Sequence, residues 1–181
     1  MKDGHEQWVM AGWRALIDGG VRAVRGEALA RAIGVTKGSI NHPFSGRQAQ
    51  LDDMLDGWRE RGTDAIIAVA NQGSAPLERL TLLHEIIFAS PHANTVESAI
   101  RTWATTDGRA QEATERVDRA RIGYVANLLT EAGMERDSAI RRTTLYYRVV
   151  IGDAIWRTSG GAPLTARERD DLLAMFTSGL T

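Results

Sequence analysis

The sequence predicts an all-α protein of about nine helices. In almost every segment the apolar residues recur three and four positions apart, which is the spacing of an amphipathic helix. No segment shows the strict apolar and polar alternation of a half-buried strand. Glycine and proline separate the segments, at Gly19-Gly20, Gly34, "NQGSAP", "SPHAN", Gly133 and "SGGAP".

Composition excludes several classes of protein. Hydrophobic residues make up 43% of the 181 positions and charged residues 25%, as in an ordinary globular chain. The absence of cysteine excludes disulfides, thiol catalysis and cysteine-based metal sites. No apolar run approaches the roughly 18 residues of a membrane span, and "MKDGHEQW" lacks the apolar region of a signal peptide. We therefore expect a soluble, cytoplasmic protein.

Charge is distributed unevenly along the chain. The net charge is -1, but positions 12–50 carry six basic residues against two acidic ones. This basic N-terminal part on an acidic remainder favours local contact with phosphates. Chance clustering of basic residues is the alternative interpretation.

The N-terminal helices have the pattern of a helix-turn-helix. Helices are predicted over 5–17 and 25–33, and a third is predicted to begin at Lys37 with Thr36 as its N-cap. The motif needs a small residue where two helices cross, a glycine in the turn and an apolar anchor in the second helix. Ala30, Gly34 and Ile40 occupy these places. Side chains at the start of the second helix are then free to enter a major groove.

A long helix is predicted over 46–71, followed by helices over 76–88, 94–105, 109–132, 138–158 and 165–178. The apolar stripe of the long helix consists of Leu51, Met54, Leu55, Trp58, Gly62, Ala65, Ile66 and Val69. Within the 109–132 helix, the run "ERVDRARIGY" is interpreted as a solvated charged face that leads into the core.

The last two helices carry surplus apolar surface. The segment "TTLYYRVVIGDAIW" is apolar on almost every side, so more than one partner must cover it. This pattern predicts self-association, since soluble monomers avoid large apolar patches. The residues predicted at the dimer interface are Val149, Ile155, Leu172, Met175 and Phe176.

The stretch "LARAIGVTKGSINHPFSGR", followed by "LDDMLDGW", resembles the DNA-binding segment of the tetracycline-repressor-like (TetR) family of transcriptional regulators. The resemblance extends more loosely over the whole chain. It implies a helix-turn-helix domain at 1–46, joined by the long helix to an effector-binding and dimerisation domain at 47–181. It further implies a homodimer that represses transcription from a palindromic operator and releases the DNA when a small molecule binds. No cofactor and no membrane partner are implied.

The same resemblance assigns roles to individual residues. Those expected to contact DNA are Arg25, Thr36, Lys37, Ser39, Asn41, His42 and Arg47, and Phe44 is expected to anchor the end of the recognition helix. Their chemistry is suitable, because Lys37 and Arg47 can neutralise phosphates and Asn41 can pair bidentately with adenine.

Two positions depart from the family pattern. Asn41 stands where the family usually has an aromatic residue, most often tyrosine, and Pro43 stands where it often has histidine. Proline has no backbone N–H and disfavours α geometry at His42, so the last turn of the recognition helix is expected to be weakened. The alternative function is therefore a helical ligand-binding or interaction protein of the same fold that no longer uses DNA.

Aromatic residues are the candidates for an effector site. The residues predicted to contact the effector are Trp58, Phe88, Trp103, Tyr124, Tyr146 and Tyr147. Each of them has an alternative interpretation as an ordinary core aromatic at helical spacing. No metal site is expected, because His84-Glu85 lacks a second histidine four positions on and "SP" intervenes before His92. No enzymatic activity is expected either, since Ser39 and His42 lack the nucleophile-elbow pattern.

Overall fold

The computed structural model describes residues 2–35, 44–89 and 91–180, and all the regular structure in those ranges is helical. The helices are α1 (Lys2–Gly19), α2 (Gly26–Ala32), α3 (Arg47–Arg59), α4 (Ala65–Ala70), α5 (Pro76–Ala89), α6 (Pro91–Ala104), α7 (Gly108–Glu131), α8 (Arg136–Thr158) and α9 (Ala166–Thr177). The prediction of an all-α protein is confirmed. No helix in the described ranges is long and apolar enough to cross a membrane.

The helix boundaries follow the sequence signals closely, with two differences. The predicted long helix is made of α3, a π-helical segment (Glu60–Asp64) and α4, which succeed one another without a break. Counted this way, the described ranges contain eight continuous helices. The helix predicted over 94–105 begins earlier, at Pro91, because proline is well placed at a first helical position. The helix predicted from Lys37 lies outside the described residues.

The turn of the predicted helix-turn-helix has the geometry that its glycine indicates. Gly34 has a φ of 73°, in the left-handed region that favours glycine. The Val35 N–H donates to the Ala30 carbonyl oxygen at 2.9 Å, and the Gly34 N–H donates to the Arg31 carbonyl oxygen at 3.2 Å. These two bonds form a Schellman motif, which ends α2 at the predicted place.

The π-helical segment changes which residues face the core. Before it, Leu51, Met54 and Trp58 are buried as predicted. After it, Ala65 and Val69 are exposed, and Ala70 is buried instead. A π-helical turn accommodates one extra residue, so the apolar face advances by one position relative to a regular helix.

The core consists of two clusters of buried residues. The first joins α1 and α2 to α3, α6 and the start of α7, through residues that include Trp8, Trp13, Leu29, Met54, Trp58, Ile100, Trp103 and Val117. The second joins α4, α5, α7, α8 and α9, through residues that include Ala70, Leu80, Leu83, Leu129, Tyr146 and Phe176. The first cluster contains residues from both sides of the predicted domain boundary at 46/47. The boundary itself stays a prediction.

Candidate ligand cavity

A cavity of about 410 Å³ lies between the π-helical segment and α4 through α8. This volume is within the roughly 300–1,000 Å³ of small-molecule sites. Its apolar wall includes Ile66, Ile67, Leu83, Ile86, Ile87, Val96, Val125, Val150, Ile151 and Ala154. Trp13 of α1 and Trp58 of α3 also line it, so the first helix of the N-terminal part contributes to the wall.

One face of α8 forms a large part of this wall. Its lining residues are Thr143, Tyr146, Tyr147, Val150, Ile151 and Ala154, which recur three and one positions apart as one side of a helix does. The opposite side leaves Leu145, Val149 and Trp156 exposed. The apolar residues of α8 are therefore divided between a cavity face and a surface face.

Four of the six predicted effector-binding aromatics line the cavity. They are Trp58, Tyr124, Tyr146 and Tyr147. Phe88 does not line it, because it packs in the core beside His84, with ring centroids 4.8 Å apart. Trp103 does not line it either, because it is buried in the first core cluster.

A hydrogen-bonded group of charged residues lies at one side of the cavity, with Glu97 at its centre. Glu97 Oε2 accepts hydrogen bonds from Trp58 Nε1 at 3.0 Å and from Arg121 Nη1 at 3.1 Å. Glu97 Oε1 accepts one from Arg101 Nε at 2.8 Å. Both oxygens of this buried carboxylate are thus occupied by donors from its own chain.

Asp118 completes the charge balance of this network. Arg101 donates to both oxygens of Asp118, at 2.6 Å from Nη2 and 3.2 Å from Nη1. The Tyr147 hydroxyl donates to Asp118 at 2.6 Å and accepts from Arg101 at 2.9 Å. Two arginines therefore face two carboxylates, and the Tyr147 hydroxyl lies between them.

The π-helical segment holds the second arginine. Arg121 donates from Nε to Thr63 Oγ1 at 2.9 Å and from Nη2 to the Gly62 carbonyl oxygen at 3.1 Å. Thr63 and Gly62 belong to the extra turn, so this turn places two acceptors at the cavity wall. Sequence reasoning assigned Asp118 and Arg121 to a solvated face. That interpretation is wrong for these two side chains, which turn inward, and it holds for Glu115 and Arg119, which remain at the surface.

Both arginines remain charged in this environment. Burial alone would lower the pKa of Arg121, but the adjacent Glu97 and Tyr147 outweigh it and the pKa is raised. The same balance raises the pKa of Arg101, where the hydrogen bond to Asp118 and the charge of Glu97 oppose burial. Burial raises the pKa of the Tyr147 hydroxyl, so it stays protonated and can donate.

A second buried polar pair joins Tyr146 of the cavity wall to His84. His84 Nδ1 and the Tyr146 hydroxyl are 2.6 Å apart, and burial lowers the pKa of His84. The Tyr146 ring stacks on Phe176, with centroids 4.3 Å apart. Phe176 is therefore buried within its own chain, although the sequence placed it at the dimer interface. Within the described ranges, no three His, Asp or Glu residues are arranged to hold a metal ion.

Comparison with known proteins identifies this architecture. The sequence matches no protein-family model and no curated protein. Solved structures match over nearly the whole chain. One is a transcriptional regulator from Saccharomonospora viridis in complex with choline, with a TM-score of 0.80 and 17% sequence identity. The match covers 99% of this chain and 98% of that one. A TetR-family regulator from Rhodococcus sp. has a TM-score of 0.75 at 18% identity, covering 100% of both chains. The chain has the TetR-family fold.

A TetR regulator from Legionella pneumophila has a similar structure, with a TM-score of 0.72 and 14% sequence identity. The match covers 97% of this chain and 96% of that one. At such identities the agreement concerns the TetR fold and not individual residues.

The predicted DNA contacts of this TetR fold lie partly outside the described residues. Thr36, Lys37, Ser39, Asn41 and His42 belong to the part that the structure does not describe.

Arg25 and Arg47 are described, and both are exposed. Arg47 donates from Nη2 to the Val21 carbonyl oxygen at 2.7 Å and from Nε to the Val24 carbonyl oxygen at 3.0 Å. Its guanidinium therefore closes the turn between α1 and α2, and its remaining N–H groups are the ones available to a phosphate.

The predicted dimer residues fall into two groups. Val149, Ile155 and Met175 are exposed, and Met175 is 65% exposed. Leu172 is half-buried and packs, like Phe176, against the second core cluster. The exposed group lies on α8 and α9, which together carry most of the exposed large apolar side chains of the described ranges.

Proposed function

We propose that this protein is a homodimeric, DNA-binding transcriptional regulator, a repressor released from a palindromic operator by a small molecule that binds in the cavity. The observation that carries the proposal is the cavity itself. It lies within a fold that is shared end to end with transcriptional regulators. A cytoplasmic location and the absence of enzymatic activity accompany this proposal.

The turn that ends α2 supports the DNA-binding part. Ala30 is buried in the first core cluster, and Gly34 makes the left-handed turn that the motif needs. The basic balance of positions 12–50 supplies the positive charge that non-specific phosphate contact requires.

The wall of the cavity supports the effector part. The neighbour from Saccharomonospora viridis was solved in complex with choline, which supports a small-molecule ligand for a protein of this fold. Trp13 of α1 and Trp58 of α3 contribute to the wall, so a bound molecule contacts helices that pack in the first core cluster. Such contacts can bias the position of the N-terminal helices if the ligand binds one arrangement better than another.

The dimer is supported by exposed apolar side chains on two neighbouring helices. Leu145, Val149 and Trp156 of α8 and Met175 of α9 are large, apolar and exposed. Pairing this surface with the same surface of a second copy gives a two-fold interface. A two-fold dimer presents two recognition helices to successive major-groove turns, as a palindromic operator requires.

A gel-shift experiment with the DNA upstream of the protein's own coding sequence tests the proposal. We expect a shifted band at about 0.1 M salt that weakens as salt is raised, since phosphate contacts release counterions. A library of random sequences, enriched by repeated binding, serves as a second substrate. If the protein shifts neither substrate, the DNA-binding proposal fails.

Substitution of the predicted phosphate contacts sharpens the test. Lys37→Ala and Arg47→Ala should each weaken binding on all sequences and reduce the salt slope by about one unit. Arg119→Ala is the matched control, because this arginine is exposed on α7. Asn41→Tyr should strengthen binding if the missing aromatic is a lost backbone contact. Unchanged salt slopes for both alanine variants would remove Lys37 and Arg47 from the interface.

A second candidate function is a ligand-binding protein of the same fold that does not use DNA. It is favoured by Arg47, whose guanidinium already bonds two carbonyl groups of its own chain, and by Asn41 and Pro43. Ligand binding without any DNA binding would establish this candidate in place of the regulator.

A further inference from the structure

The cavity wall contains the two kinds of group that bind quaternary ammonium ions, namely aromatic ring faces and a carboxylate. A ligand cation binds more weakly where these groups are already occupied. In this cavity, arginines of the same chain lie over three of the five aromatic rings of the wall, and they bond both oxygens of the carboxylate; the Tyr124 and Tyr146 rings are the other two.

Three rings of the aromatic lining each have a guanidinium over them. The Cζ atom of Arg121 is 5.3 Å from the centroid of the Trp58 ring. The corresponding distances are 5.4 Å from Arg61 to Trp13 and 6.0 Å from Arg101 to Tyr147. All three lie within the distance of about 6 Å at which a cation and a ring attract each other.

The carboxylate is occupied as well. Glu97 accepts from Arg101, Arg121 and Trp58, and the neighbouring Asp118 accepts from Arg101 and Tyr147. Two guanidinium groups balance two carboxylates, so this network offers no net negative charge to a ligand. A cation entering the cavity would lose its hydration without gaining an unpaired anion, which is unfavourable.

The rest of the wall suits a neutral molecule. Isoleucine, leucine and valine side chains from α4, α5, α7 and α8 make up most of it. The Tyr124 hydroxyl donates to Asn71 Oδ1 at 2.8 Å and retains lone pairs that can accept one hydrogen bond. An alcohol can therefore be accommodated in an otherwise apolar ligand.

We infer that the cavity selects uncharged, mainly apolar molecules and rejects quaternary ammonium ions of the same shape. This inference rests on the proposed function, in which the cavity is the effector site, and it names the chemical class of the effector.

Isosteric pairs test the inference on the unaltered full-length chain. The first pair is choline and the neutral alcohol in which a tert-butyl group replaces the trimethylammonium group. The second pair is benzyltrimethylammonium and its carbon isostere, neopentylbenzene. Each pair has the same shape and differs in charge, so a difference in affinity reports charge alone. Calorimetry and the fluorescence of the wall tryptophans measure the binding.

We expect the neutral member of each pair to bind at least about tenfold more tightly than the cation, because the cation must be desolvated without a partner. Equal or tighter binding of the cation would overturn the inference and leave the proposed function standing. If neither member of either pair binds at millimolar concentration, the cavity is not a ligand site. That outcome would count against the effector part of the proposed function and would overturn this inference with it.

An Arg121→Met variant tests the physical reason. Removing this guanidinium uncovers the Trp58 ring and leaves Glu97 Oε2 with the Trp58 N–H as its one remaining donor, so the preference for the neutral member should fall about tenfold. Arg119→Met is the matched control, an exposed arginine on the same helix that should leave the preference unchanged. Circular dichroism checks the folding of both variants. If Arg121→Met does not fold, the isosteric pairs on the unaltered chain decide the matter.

Discussion

At the scale of single residues, the buried network around Glu97 makes a strong prediction about stability. Glu97→Ala would leave Arg101, Arg121 and the Trp58 N–H without their shared acceptor, and removing one member of a buried ion pair typically costs about 3–5 kcal/mol. Urea unfolding of the variant measures this loss.

Glu115→Ala is the control for this prediction. Glu115 pairs with Arg119 at the surface of α7, where the loss should be below about 1 kcal/mol because solvent screens the pair. Similar losses for the two variants would show that the network contributes no more than a surface pair.

His84 predicts a pH dependence of stability. Burial lowers its pKa below the ordinary value of 6.5, so between the two values the unfolded chain binds more protons than the folded one. Stability contributed by neutral His84 is therefore present above about pH 6.5 and is lost as the pH falls, by at most about 1.4 kcal/mol per pH unit.

The measurement is urea unfolding of the wild type and His84→Gln between pH 5 and pH 8, about the range in which histidine titrates. The wild type should lose its stability advantage over the variant toward acid, since other groups affect both proteins alike. If the free energies of unfolding of the two proteins change with pH in parallel, the proposed role of His84 is contradicted.

Four of the five cavity aromatics could be predicted from the sequence, but Trp13 and the polar partners could not. Trp58, Tyr124 and Tyr146 lie on helix faces whose spacing is visible in the sequence. Arg121 and Asp118 lie in a charged run that looks solvated throughout. Which of these charges turns inward depends on acceptors supplied by Gly62 and Glu97, far away in the chain. The spacing of apolar and charged residues along one helix cannot indicate such long-range pairing.

At the scale of helices, the π-helical segment predicts opposite outcomes for two neighbouring residues. Val69 is 43% exposed and Ala70 is fully buried, the reverse of what regular helical spacing indicates. Val69→Glu should therefore change the free energy of unfolding by about 0.5 kcal/mol or less. Ala70→Glu should cost about 4 kcal/mol or more, because it buries a charge.

Thermal and urea unfolding of both variants measure the difference. Greater destabilisation by Val69→Glu than by Ala70→Glu would mean that the helix is regular in solution. The sequence predicted the existence and extent of this helix correctly, since capping and glycine signals are local. It could not predict the extra residue, because the π-helical turn is associated with the bonds from Arg121 of another helix.

At the scale of the whole molecule, the exposed apolar side chains of α8 and α9 predict a dimer. The wild type should sediment as a dimer at micromolar concentration. A variant carrying both Val149→Glu and Met175→Glu should sediment as a monomer, because it places charges in the predicted interface. Val69→Glu is the control, an exposed apolar residue outside α8 and α9. A monomeric wild type would contradict the interface and remove the basis for a palindromic operator.

The first core cluster has a consequence for the engineering of chimeric sensors from this chain. Trp8, Trp13 and Leu16 pack with α3, α6 and α7 residues, and Trp13 also lines the cavity. A chimera that exchanges residues 1–46 for those of another regulator would therefore divide one continuous core and remove part of the ligand wall. The N-terminal part is not a detachable module. Transplanting a new DNA specificity should succeed only if the α1 side chains facing α3 and α6 are retained and the exchange is confined to the helix-turn-helix that follows.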